Sequence, residues 1–448
     1  MDDRNEHVSR RDVLRYLGSG AATIAGASVL SASGVAAATR PGDGADPVVR
    51  WIVRHAEPLR TLDPDAPLGD LRALAPRLAR AAVVGLGAPY GAHEPFVLRQ
   101  RVVRLLVEQL GFRAVAFEED WTKGIQLDDY LLTGAGDPRA LLADAGLPWQ
   151  TQEMLDLLAW MRSFNRRNPG DPVRLVGVDV VGVRALAYDA VADYVALVAP
   201  DLSDDLAAHW GPLRPSGAIG DHVRWYRSQP DKQPFIDHAR QAYELVAGLP
   251  AADGHDLALR HARVIVGFYE YFASNQVGVR DSYMAENVSW WHEHRGDKVV
   301  YWASNVHTAV ADPLTIHWGD FPASVQTSAG GHLRTRYGRR YASIGVTFRH
   351  GTVNAGFPLA TYAVPEPRSD FLEATLGAAD HGTYLLDLRG ARPRPVRAWL
   401  TSPLRSHAIG PFYDPAHDAD YAMSGGTPAD WFDLVVHTQL ATPTQLMA

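Results

Sequence analysis

Four places in this chain set chemically capable side chains at the ends of apolar runs. Residues 87–94 (GAPYGAHE) follow the run at 82–86, and Glu118 follows 113–117. Asp179 follows 173–178, and Ser304-Asn305-Val306-His307 follows 298–302. Ligands in open α/β sheets bind just outside the carboxyl ends of strands, so these four ends are expected to share one mouth. A carboxylate there orients or activates water, and a histidine moves protons near neutral pH. Arg99 lies one turn into the helix expected after the first turn, where a guanidinium would stabilise an oxyanion or hold a carboxylate.

The elements that must position these groups alternate. The apolar run at 82–86 is the kind buried in a parallel sheet. Apolar residues at 98, 102, 105, 106 and 110 predict a helix over 96–110, which Gly111 stops. A strand at 113–117, a helix at 152–166 and a strand at 173–178 follow. Further strands are expected at 298–302, 342–348, 383–388 and 432–437. A short extended stretch is expected at 48–53 and a helix at 68–80. Residues 184–296 read as a helical insertion. The implied class is α/β, with a mixed, mostly parallel central sheet flanked by helices and the insertion beside a deep cleft.

Composition excludes several chemistries. The 448 residues include no cysteine, which rules out thiolate zinc sites, disulfides and a cysteine nucleophile. A net charge of −8 argues against nucleic acid as a partner. There is no phosphate-binding glycine loop and no GxSxG elbow. His292-Glu293-His294 alternates along a helix and reads as a solvated end rather than a metal cluster. No cofactor or metal is expected.

The N-terminus reads as a targeting segment. Ser9-Arg10-Arg11-Asp12 is a twin-arginine pattern ahead of a small-residue apolar run and Ala36-Ala37-Ala38. Residues 1–38 are expected to be a removed leader, and 39–47 a Pro/Gly linker. One domain is then expected over 48–448, exported, with no stable membrane span once the leader is gone. The leader's Arg4, Arg10, Arg11 and Arg15 balance Asp2, Asp3, Glu6 and Asp12, so the mature charge stays at −8.

Residues 85–134 resemble the erythromycin esterase family, including its succinoglycan-biosynthesis-like members. The family has a GLGEATHGTxEFF turn, an RxR helix and GFxxxxxE. This chain has GLGAPYGAHEPF, Arg99-Gln100-Arg101, and Gly111-Phe112 with Glu118. The resemblance continues through Val176–Asp179, the segment Arg280-Asp281-Ser282-Tyr283-Met284-Ala285-Glu286-Asn287, Trp302–His307, and residues 405–413 and 432–433. It spans about 48–440. The turn departs from the family, with Tyr90 where the family has a histidine thought to be the general base. The turn glutamate is replaced by Gly87 or Ala88, and the later motif's first histidine by Ser304.

The resemblance implies a hydrolase cleaving an ester or lactone of a small-molecule natural product by general-base activation of water. The candidate catalytic residues are Glu118, His307, Arg99, Tyr90 and His93. Trp121, Asp179, Trp302, Ser304 and Asn305 are the candidate substrate contacts. Tyrosine is protonated at neutral pH, so His93, Glu118 or His307 would have to act as the base. Two alternatives stay open on the sequence alone. One is a non-hydrolytic binding or tailoring protein on this scaffold. The other is a metal-dependent enzyme using His93, Glu118 and His307.

Overall fold

The computed structural model describes residues 46–356, 359–410 and 413–447. The expected leader, and all of the linker but Asp46 and Pro47, lie outside these residues. The first described element corrects an expectation, because the stretch expected to be extended at 48–53 is a helix, α1 (Pro47–His55). Asp46 caps it by accepting the Val48 N–H at 2.6 Å, and Pro47 sits in its first turn. Val48, Trp51 and Ile52 then fall on one buried face. Cap and i, i+3, i+4 spacing outweigh the β preference of paired valines.

The strands, in chain order, are β1 (Glu57–Pro58), β2 (Val83–Gly87), β3 (Phe112–Asp120), β4 (Arg174–Asp179), β5 (Lys298–Ala303), β6 (Leu314–Trp318) and β7 (Ser324–Gln326). There follow β8 (Tyr341–Ala355), β9 (Ala360–Val364), β10 (Thr383–Asp387), β11 (Ser406–His407), β12 (Tyr421–Ser424) and β13 (Leu434–Ala441). The central sheet has the order β1–β10–β13–β8–β2–β5–β3–β4, with β9 hairpinned onto β8. From β13 to β4 every neighbouring pair is parallel. β1 and β10 close that edge antiparallel. The class is therefore α/β with a mixed, mostly parallel sheet. A second, four-stranded antiparallel sheet, β11–β12–β6–β7, stands beside it. Its strands are too short to read from periodicity.

The two faces of the central sheet bury different partners. Val84, Leu86, Val115, Phe117, Val300 and Trp302 face α2 (His93–Leu110), α3 (Trp121–Thr133) and α4 (Gln152–Arg167). Val83, Ala114, Ala116, Val178, Tyr301 and Ala303 face the helices between β4 and β5. These are α5 (Ala185–Val198), α6 (Ser203–Trp210), α7 (Ile219–Ser228), α8 (Gln233–Ala247), α9 (His255–Ser274) and α10 (Val277–Arg295). Alternation along each strand divides the residues between the layers.

Two features aim the site. The β3–β4 register slips between Phe117 and Asp120, where three steps on β3 match two on β4. This bulge contains Glu118, and a bulge of this kind bends the strand and changes where its side chains point. On the following helix, Gly124 lies directly on β4: a Cβ there would fall 2.0 Å from the Gly177 nitrogen. That contact is with backbone, which cannot yield. Gly124→Ala should therefore destabilise the fold by about 3 kcal/mol, read as a lower midpoint in urea unfolding. An unchanged midpoint would mean that α3 does not need this close approach.

Candidate active site

The carboxyl ends of β2, β3, β4 and β5 converge, and a residue from the insertion locks them together. Arg280, on α10, donates through Nε to both carboxylate oxygens of Asp179 at 2.9 Å. Its Nη2 donates to Glu118 at 2.9 Å and also to Asp179. Asp179 is fully buried and Glu118 nearly so. The other Glu118 oxygen accepts the Ser304 backbone N–H at 2.8 Å. One guanidinium thus joins two strand ends while the loop after β5 holds the same carboxylate.

His307 completes the network. Its Nδ1 lies 2.6 Å from Asp281, which also accepts from Gln326 at 2.5 Å. Its Nε2 is 3.2 Å from Glu118 and 3.2 Å from Arg280 Nη1. The second contact would suit a neutral ring accepting from arginine, and the first suits a charged ring donating to the carboxylate. Two carboxylates face this ring and one cation opposes it, so the charged form prevails. Burial works against charge on His307, but Asp281 and Glu118 outweigh it and raise the pKa to about 10. Burial would likewise raise the Glu118 carboxyl, yet His307 and Arg280 hold it well below the usual carboxylate range. At neutral pH Glu118 is an anion, set against Arg280, His307 and Arg99 as cations.

The turn after β2 brings Tyr90 to this carboxylate. Its amide donates to Ile409 O at 3.1 Å, and Gly91 next to it has φ +72°. A Cβ at Gly91 would strike Asn354 O at 2.0 Å, so the turn needs glycine both for its backbone and for its space. The phenol interacts with Glu118 and Ser304; burial and the Glu118 charge keep it protonated well above its ordinary pKa. Arg99 is buried with its guanidinium 4.3 Å over the Trp302 ring and Nη1 donating to Ala303 O at 3.2 Å. Burial lowers its pKa to about 9 against the pull of Tyr90 and Glu118. Arg99 Nε and Asn305 Oδ1 have no hydrogen-bond partner among the described residues. Asn305 is fixed through Nδ2, which donates to Val346 O at 2.9 Å.

Glu118, His307, Arg99, Tyr90, Asp179, Ser304 and Asn305 thus lie in or beside one cluster. Three other candidates stand elsewhere. His93 opens α2 and turns to Glu153, with Nδ1 2.7 Å from its carboxylate. It lines a separate pocket of about 300 Å³ with Gln100, Glu153 and Asp156. The chain reverses at Gly91 and enters the helix at once, which carries position 93 away from Glu118. Trp121 is core: its Nε1 donates to His261 at 3.0 Å and its ring meets Trp290 edge-on. Trp302 is wholly buried and supports Arg99 instead of facing a substrate. Among the described residues no three His, Asp or Glu side chains converge as a metal site, so His93, Glu118 and His307 form no common ligand set.

Reading the sequence missed Arg280, Asp281 and Gln326. The first two lie in the segment 280–287 that resembled the family, and that motif was the available signal. Its Asn287 donates to Val178 O at 2.7 Å, docking α10 on the end of β4 and fixing where Arg280 and Asp281 project.

The fold and site define an α/β protein with a buried carboxylate–guanidinium–imidazole centre at the carboxyl edge of its parallel strands. The erythromycin esterase family profile matches residues 107–440. A Bacillus subtilis protein named as a hydrolase, YbfO, is 22% identical over 79% of this chain and 84% of its own length. Erythromycin esterase type II of Escherichia coli is 21% identical, covering 73% and 85%. A Bacillus cereus crystal structure superposes with TM-score 0.79 at 27% identity, covering 90% of this chain and 98% of that one. The structure of the erythromycin esterase EreC, a histidine-to-asparagine mutant in its open conformation, has TM-score 0.68 at 20% identity over 88% and 99%. The chain belongs to the erythromycin esterase family, and it is a hydrolase of that kind.

The His307 ion pairs make stability depend on pH. A histidine whose pKa is raised on folding contributes stability that is complete below its unfolded pKa of about 6.5 and declines as pH rises through the folded value. The unfolding free-energy difference between the wild type and His307→Gln should therefore shrink from pH 6.5 towards about 10. A difference that is constant or grows over this range, in urea titrations, would contradict a charged His307.

Proposed function

We propose that this chain is an exported hydrolase that cleaves an ester or lactone of a natural product by direct attack of water, with no covalent enzyme intermediate. The observation that carries this reading is the Glu118 carboxylate held between Arg280, His307 and the Ser304 N–H at the carboxyl edge of the sheet. The hydrolase-named relative and the E. coli erythromycin esterase support the reaction class.

Glu118 accepts a hydrogen bond from the attacking water and orients it. As the water oxygen bonds to the acyl carbon, its proton passes to Glu118. The carbonyl oxygen becomes an oxyanion facing Arg99 and Tyr90, whose one O–H turns to it from Glu118 as that carboxylate takes up the proton. The tetrahedral intermediate collapses by breaking the acyl–oxygen bond, and His307 donates its Nε2 proton to the departing alkoxide. The proton on Glu118 then returns to His307 across their 3.2 Å contact, restoring the resting charges. Tyr90 is an oxyanion donor in this scheme, so the base is the carboxylate and the acid is the imidazolium.

The charge states set the pH profile. Glu118 is ionised throughout the neutral range and His307 stays protonated to about 10. With macrolide lactones and a panel of esters, followed by mass spectrometry for gain of water, kcat/KM should be flat from pH 6 to about 8 and fall as Arg99 and then His307 deprotonate, near 9 and 10. A rise centred on the ordinary histidine pKa would assign a neutral imidazole base and contradict the scheme. Glu118→Gln should lower kcat by ~10²–10⁴-fold, and undiminished turnover in this variant would remove Glu118 from the reaction.

Export rests on the twin-arginine pattern. Replacing Arg10 and Arg11 together by lysine should leave the chain inside the cell. Equal amounts in the extracytoplasmic fraction, by immunoblot, would contradict this route.

A further inference from the structure

We infer that Trp149 is a positioning residue for the proposed reaction, with its indole holding the Tyr90 phenol against Glu118. The inference rests on the reading above for its kinetic consequence and on the packing for its physical one. Trp149 ends the short turn Leu147–Trp149 and is almost completely buried. Its ring meets Tyr90 edge-on, with centroids 5.4 Å apart at 77°, and packs on Phe117 at 4.3 Å. Its Nε1 donates to the Glu118 backbone carbonyl at 3.1 Å. A single side chain therefore touches the residue before Glu118, Glu118 itself and the phenol beside it.

The surrounding backbone leaves this job to Trp149. The Tyr90 amide is bound to Ile409, and Gly91 O accepts from both Asn354 and Thr444 at 3.0 Å. With the turn pinned on both sides, the freedom that remains belongs to the Tyr90 side-chain torsions, and the indole edge limits them. Trp149 is itself anchored. The Gly146 N–H donates to Glu119 at 2.6 Å, tying its loop to the β3 bulge. Gln152 N–H donates to Gln445 O at 2.8 Å, tying the other side to the C-terminal segment. That segment also binds the Tyr90 turn through His93 N–H to Thr442 O at 2.8 Å. The wall and the turn thus share one brace.

The charged and titratable groups that act on the phenol are Glu118 from β3, Arg280 from α10 and Arg99 from α2, with Ser304 supplying a polar contact from the loop after β5. Removing the indole changes none of these groups but admits water to the ring. Burial is the largest influence on this phenol, so its titration reports the contact directly.

The test uses Trp149→Ala, which removes ring and donor, and Trp149→Phe, which keeps a ring but no donor. Trp149→Leu, which preserves most of the buried bulk without an aromatic edge, replaces the alanine variant if that chain does not fold. Tyrosinate absorbance is titrated in each variant and in its Tyr90→Phe double, so that the difference isolates Tyr90. In the wild type the Tyr90 signal should emerge well above pH 10. In Trp149→Ala it should move down towards the value of an unperturbed phenol while staying above it, because the Glu118 charge remains, and in Trp149→Phe it should stay near the wild-type position. On a turned-over substrate, kcat should fall about 10–100-fold in Trp149→Ala with KM nearly unchanged. Most of kcat should return in Trp149→Phe. A Tyr90 titration identical in wild type and Trp149→Ala would overturn the inference. The titration needs no substrate, so absence of turnover on every compound would count against the hydrolase reading and leave this test intact.

Discussion

The contact between Arg280 and two buried carboxylates is the constraint on which the site depends. Asp179 ends β4 and Glu118 sits in the β3 bulge, and both are buried. The guanidinium spans both in a planar fork that a lysine ammonium would not reproduce. Removing one partner of such a buried pair typically costs about 3–5 kcal/mol, because the remaining charge is stranded. The arrangement also fixes how α10 meets the sheet, since Arg280 and Asp281 are adjacent and bind opposite sides of the site. Arg280 secures the strand ends, and Asp281 secures His307.

This dependence explains the architecture around it. A parallel sheet alone offers strand ends with outward-facing polar groups and no counter-charges. The helices between β4 and β5 supply them, with α10 docked by Asn287 on the Val178 carbonyl. Small residues on the facing side of the sheet, Ala114, Ala116 and Ala303, let this layer approach closely. On the opposite face, larger side chains such as Phe117 and Trp302 form a platform for Arg99 and Trp149. The site lies where these two layers reach the edge of the sheet. Arg99 Nε and Asn305 Oδ1 lie buried beside it without a hydrogen-bond partner among the described residues.

Much of this was legible in the chain. Strand runs ending at Glu118, Asp179 and Ser304 declared both the sheet and the edge where its polar groups gather, because a buried parallel strand is apolar until it emerges. Arg99 followed from helical spacing. The partners of those residues were not legible by periodicity, since Arg280 reaches Glu118 across 162 positions and Gln326 reaches Asp281 from the second sheet. Local pattern does not say which helix face meets which strand end. His93 misled because proximity in sequence to Tyr90 ignored the reversal at Gly91. Trp121 and Trp302 misled because a tryptophan beside a strand end packs inward as readily as it lines a cleft. The helix α1 was hidden by two valines whose strand preference lost to an Asp-Pro cap.

A cationic His307, paired with an ionised Glu118, is what places an acid beside the Tyr90 turn in the proposed reaction. Isotope-edited NMR of the histidine ring nitrogens, with His307 assigned by its absence in His307→Gln, reads this state directly. Both ring nitrogens of His307 should carry protons from pH 6 to 9, and the ring should titrate near 10. A single-proton, neutral His307 ring at pH 7 would contradict it.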